Sequence, residues 1–188
     1  MSLRYLYNKL NDMSSLEQEC YIKNIFKQFD IKPKFDIDKL FVNQSGKQSS
    51  GKNPLGYLVM HLSYYQIQHL VSEYFIDLCG GFTFGSKDDK ILSIVDRAMT
   101  LIELGIDNEV YSDINTDMSD VLSVYEFGVG KYSPYSFLQL DPYELVPALF
   151  RHLYKHYYIS TVDEETGLPH MAHAYCNMRM IEMIVKRR

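Results

Sequence analysis

With 188 residues, of which 46% are hydrophobic and 23% charged, the chain can bury one core, with or without an appendage, and is no disordered adaptor. A net charge of −5, with Lys186-Arg187-Arg188 as the compact basic run, argues against a nucleic-acid footprint. No stretch approaches the roughly 18 apolar residues of a spanning helix, and no apolar leader follows Met1, so no membrane contact and a cytoplasmic location are expected.

Three cysteines, Cys20, Cys79 and Cys176, without a Cys-x-x-Cys pair, fit reduced thiols. Sixteen tyrosines and ten phenylalanines with no tryptophan give many rings that suit packed helices or stacking surfaces.

In chain order, Ser14 and Ser15 stand three residues before Glu17 and Gln18, the spacing of a capping box. A helix over about 16–29 follows, with Leu16, Tyr21, Ile22, Ile25 and Phe26 as its core stripe. The segment 31–54 is punctuated by Pro33 and by a polar, glycine-bearing stretch over 43–54, which predicts a long loop. Its Gly46-Lys47 and Gly51-Lys52 pairs lack the spacing of a phosphate-cradling loop and have no strand leading into them.

Residues 56–78 read as one long apolar helix, with His61, Gln68, His69 and Glu73 as polar members, ended by Gly80 and Gly81. Ser86, Asp88 and Asp89 open a helix that Gly105 closes. Asp117 and Asp120 supply negative charge at the start of a helix from Met118 to about Phe127. Gly128 and Gly130 then place Lys131 and Tyr132 in a loop able to offer amides and an ammonium to phosphate. Asp141-Pro142-Tyr143-Glu144 starts a helix reaching about Tyr158. After the acidic loop 160–167, Pro169 opens the last helix, which runs to Lys186. No strand alternation is long enough for a sheet, so the expected fold is all-α, a compact helical bundle. One continuous domain is expected, with an N-terminal region over 1–120 and a core over 121–188.

The densest chemistry lies at the end. Asp163-Glu-Glu-Thr-Gly-Leu-Pro-His170-Met-Ala-His173-Ala-Tyr-Cys-Asn177 follows Arg151-His152 and Gly128-x-x-Lys131-Tyr132. His170, His173 and Asn177, at i, i+3 and i+7, share one helical face, and His152 on the preceding helix could join them. Imidazoles favour zinc, iron or nickel, whereas Asp163 and Glu165 offer the hard oxygens that magnesium prefers. His152, His170, His173 and Asn177 could instead form a buried polar network that ties the two helices and the intervening loop together. Arg151, about 100° from His152 on the helix, could pair with Asp163 or Glu165, or clamp a phosphate.

Over about 121–183 this pattern resembles the mostly phage-encoded family described as the dATP/dGTP diphosphohydrolase N-terminal domain. That family runs roughly Gly-x-x-Lys-Tyr, Arg-His, and Asp-x-Glu-Ser-Gly-x-x-His-x-x-His-x-x-x-Asn. The family is similar in turn to all-α nucleoside triphosphate pyrophosphohydrolases, which use divalent ions to cut between the α and β phosphates. The resemblance implies a purine deoxynucleoside triphosphate as substrate and magnesium or manganese as the ion, with zinc the alternative. Asp163, Glu165, His170 and His173 would hold the ion, Lys131, Tyr132 and Arg151 the nucleotide, and His152 and Asn177 would position water or base. It also implies a cytoplasmic protein, in a host cell if phage-encoded, and, by analogy, a homo-oligomer.

The Glu-x-x-Glu and Glu-x-x-Asp pairs of the wider superfamily do not occur in this region. Pro147 stands where an acidic residue is usual and Ser133 where glycine is usual. The alternative reading is therefore a non-catalytic phage accessory protein that keeps the helical core and binds a phage or host partner through its N-terminal region. A third is a metal-stabilised fold without substrate.

Overall fold

A computed structural model of the chain describes residues 3–36, 53–72, 85–106, 111 and 113–188. These contain α1 (Leu3–Asn11), α2 (Ser15–Gln28), α3 (Leu55–Val59), α4 (Tyr64–Ser72), α5 (Ser86–Leu104), α6 (Met118–Lys131), α7 (Val146–Tyr158) and α8 (His170–Val185). Two 3-10 turns, Ser136–Gln139 and Pro142–Leu145, precede α7. The expected all-α class holds: among the described residues there is no strand, and extended pairing is limited to an isolated antiparallel bridge between Val162 and Pro169. Two compact units divide inside α5, the first over Met1–Asp89 and the second over Lys90–Arg188. Among the described residues no helix is long and apolar enough to cross a membrane.

In the first unit α1 buries Leu3, Leu6 and Leu10, one stripe at i, i+3 and i+7. The capping box at α2 forms as its spacing predicts: Ser14 accepts from the Glu17 amide while the Glu17 carboxylate accepts from the Ser14 amide. The buried stripe is Ile22, Ile25 and Phe26, and the expected member Leu16 lies 70% exposed in the first turn. Phe26, Phe35, Tyr57 and His61 pack as an aromatic cluster, with ring centroids 4.6–5.7 Å apart. His61 is a structural member of it. Its Nδ1 lies 2.7 Å from the Tyr57 carbonyl and its Nε2 accepts from the Lys34 amide at 2.7 Å, which fixes the proton on Nδ1.

The single helix expected over 56–78 is instead two, α3 and α4, as far as the described residues reach. Ser63 starts the second: its hydroxyl accepts from the Gln66 amide while Gln66 Oε1 accepts from the Ser63 amide at 2.8 Å. The Gly46-Lys47 and Gly51-Lys52 pairs, most of the polar loop over 43–54, Cys79 and the end expected at Gly80-Gly81 lie outside the described residues.

In the second unit α8 is the organising element, with α6 and α7 packed along it. Val121 and Val124 of α6 bury against Ala172 and Cys176 of α8. Asp117 is the N-cap of α6, its Oδ1 accepting from the Ser119 amide at 2.8 Å, so it serves as a cap as its charge and position suggest. Gly105 ends α5 with φ of +68°. Asp141 caps the 3-10 turn that runs into α7, with Pro142 in the first position. Gly128 and Gly130 do not end α6 as expected. The helix runs through them to Lys131, and Tyr132 is its C-cap, its amide bonding to the Gly128 carbonyl at 2.9 Å.

Near its end α8 carries a buried carboxylate. Glu182, 3% exposed, accepts hydrogen bonds from the Tyr111 hydroxyl, Arg179 and Lys186. Burial alone would raise its pKa, but these donors hold it down at about 2.

Candidate active site

The loop between α7 and α8 is a closed turn built around one oxygen. Asp163 Oδ1 accepts from the Glu165 amide at 3.2 Å, and from the Thr166 amide and hydroxyl at 3.1 Å each. The Gly167 amide bonds back to the Asp163 carbonyl and the Asp163 amide to the Leu168 carbonyl, both at 2.9 Å. Gly167 sits at φ of +70°, which suits glycine and explains its place in the Asp-x-x-Thr-Gly spacing. The His170 amide bonds to the Thr161 carbonyl at 2.9 Å, so the loop also sets where α8 begins.

With Oδ1 occupied by the loop, Asp163 Oδ2 faces the histidines, 3.8 Å from His170 Nδ1. His170 Nδ1 lies 3.0 Å from His152 Nδ1, so α7 and α8 each contribute an imidazole to one point. Nitrogens of His152 and His170 and an oxygen of Asp163 all lie within 4.8 Å of one another, a grouping able to hold a metal ion. An ion with ligands at roughly 2.0–2.2 Å places adjacent ligand atoms roughly 3–3.5 Å apart, so this spacing needs only small side-chain movement to accept one. Both histidines are buried, and Asp163 is 13% exposed.

His173 stacks on His152, centroids 4.6 Å apart and planes within 6°. Its Nε2 is 2.8 Å from Thr166 Oγ1. The Thr166 hydroxyl has one proton, and Asp163 is its stronger acceptor, so His173 donates from Nε2. The polar network is not closed, however: His170 Nε2 is buried with no hydrogen-bond partner among the described residues.

Electrostatics keep the imidazoles neutral. Burial, and next the positive charge of Arg151, push His152 far below its ordinary value. Burial lowers His170 and His173 as well, against the opposing pull of Asp163. Burial works against ionisation of Asp163, but the hydrogen bonds from Thr166 together with the fields of His173 and His170 outweigh it and lower its pKa. Neutral imidazole and ionised carboxylate are the forms that bind metal.

A folded pKa below the unfolded one means that the histidines' stabilising contribution is complete above about pH 6.5 and is lost as pH falls below it. Between pH 6.5 and 5 the metal-free chain is expected to lose on the order of 2 kcal/mol from His152, with further losses from His170 and His173. Denaturant unfolding across that range checks this, and a flat profile would contradict the burial.

The other sequence-selected residues fall around this point. Glu165 is exposed and pairs with Lys131, whose ammonium also sits 4.7 Å from the Phe127 ring centroid. Arg151 is partly buried, and its charge acts on His152 and His173. Asn177 donates to the His173 carbonyl at 2.9 Å, and Tyr132 is 37% exposed. Lys155, not selected from the sequence, pairs with Glu164 at 2.8 Å. Its i, i+3 relation to His152 was the available signal.

An all-α unit thus brings two imidazoles and a carboxylate together at the junction of its last two helices. Residues 115–188, about two fifths of the chain, match the family model described as dATP/dGTP diphosphohydrolase, N-terminal, in line with the resemblance carried by the motif residues. Nothing matches the chain among curated proteins or among solved structures.

Proposed function

We propose that the C-terminal unit is a metal-dependent hydrolase domain that acts on purine deoxynucleoside triphosphates, with His152, Asp163 and His170 as the ion's ligands. The carrying observation is the convergence of those three donor groups within 4.8 Å of one another. Two imidazoles with one carboxylate suit manganese, iron or zinc better than magnesium, which among the ions implied by the family resemblance favours manganese or zinc.

A divalent ion there would offset phosphate charge and activate the attacking water. Arg151 and Lys131 would hold phosphate oxygens, with Tyr132 beside them, and Asn177 and His173 would orient the reactants. In the reaction an oxygen of water bonds to the α-phosphorus and the α–β bridging bond breaks. Pyrophosphate leaves with the electron pair, and the water proton passes to a base or to solvent. Glu165, paired with Lys131, is assigned to the phosphate side and not to the ion. Incubating the full chain with dGTP or dATP and manganese, zinc or magnesium should release pyrophosphate; no turnover with any of them, together with no bound ion on elemental analysis, overturns the proposal.

A further inference from the structure

The acidic loop is gripped from two sides. Lys131, at the end of α6, pairs with Glu165, and Lys155, one turn beyond His152 on α7, pairs with the adjacent Glu164. These carboxylates are 67% and 61% exposed, so both pairs are surface ion pairs, readily exchanged for a stronger anion. The loop between them carries Asp163, whose other oxygen faces the histidines. The ammonium groups also lie within electrostatic reach of the site: Lys155 acts on His152 and His170, and Asp163 acts on Lys131.

We propose that Lys131 and Lys155 form a two-point clamp for the polyphosphate of the substrate, and that Glu164 and Glu165 occupy the clamp in the resting state as carboxylate stand-ins for phosphate. The inference rests on the hydrolase reading for its substrate and extends it to Lys155, Glu164 and a competing intramolecular contact. An arriving triphosphate carries more charge than either carboxylate and takes both ammonium groups, releasing the two glutamates to solvent. The resting pairs keep the lysines near the ion-binding residues and raise the concentration of substrate needed to engage them.

The test uses the full chain, with dGTP for turnover and inorganic tripolyphosphate for calorimetric binding. Lys155→Gln should raise KM about tenfold with kcat changed less than about twofold, and weaken tripolyphosphate binding about as much. Glu164→Gln, which removes the competing charge and keeps the side-chain volume, should move both quantities the opposite way, about threefold. A merely structural latch predicts that both substitutions impair the protein alike; that result, or no change in either variant, overturns the clamp. Lysine-dependent tripolyphosphate binding without dGTP turnover would support the clamp while the hydrolase reading fails. Turnover indifferent to both substitutions would do the reverse.

Discussion

Replacing His152 with leucine is expected to lower divalent-ion affinity at least about a hundredfold and to abolish pyrophosphate release. The substitution removes one of two nitrogens facing each other at 3.0 Å and leaves Asp163 and His170 as an incomplete set. It also strands His170 Nδ1 in the interior, an additional unsatisfied buried polar atom, at a cost of about 1–3 kcal/mol. The double substitution His152→Leu with His170→Leu separates the two effects. Removing both partners of a buried polar pair is close to neutral, so the double variant should lose all ion binding yet unfold within about 1 kcal/mol of the metal-free parent. Metal content, turnover and denaturant unfolding measured on the three proteins decide it. Full metal occupancy in His152→Leu would take that residue out of the ligand set.

The second large effect lies away from the site. Glu182→Gln is expected to destabilise the chain by about 2–3 kcal/mol, because a carboxylate accepting from Tyr111, Arg179 and Lys186 becomes an amide that must turn a donor toward a cation. The folded pKa of about 2 lies below that of an unfolded glutamate, so this contribution is complete above about pH 4.3 and disappears as pH falls toward 2. Parent and variant should therefore differ most near neutrality and converge in acid. A constant difference down to pH 2 would assign the loss to packing alone. Ion affinity should not change, since Glu182 lies twelve residues along α8 from His170.

Much of this architecture was readable before any coordinates because local chemistry announces itself. Ser14 with Glu17, Asp117, Asp141-Pro142 and Gly105 each mark a helix boundary through hydrogen bonds or backbone freedom confined to a few residues. The Ser63-x-x-Gln66 box was equally local, but the continuous apolar run around it argued for one helix and masked the signal. Gly128 and Gly130 erred the other way: they look like a stop, yet α6 continues through them, propensity yielding to the packing of Val121 and Val124 on α8.

For the site, spacing alone placed His170, His173 and Asn177 on one helical face and indicated that His152 could approach. It could not say which nitrogen meets which atom, because that depends on the rotation of α7 against α8. Nor could it sort the acidic loop, where Asp163 turns inward and Glu164 and Glu165 turn outward to lysines on two different helices. In the Glu182 cluster Arg179 and Lys186 stand at helical spacing from the carboxylate, but the Tyr111 partner lies 71 residues away in sequence and left no local signal.

The two oxygens of Asp163 have separate employments, one tying peptide amides and the other turned toward the imidazoles. In the proposed site, a side chain anchored in this way loses its rotational freedom when the polypeptide collapses, before any ion would be encountered. Capture of an ion there would then require little further ordering, and its selectivity would follow from how rigidly those peptide groups fix the aim of the remaining lone pairs.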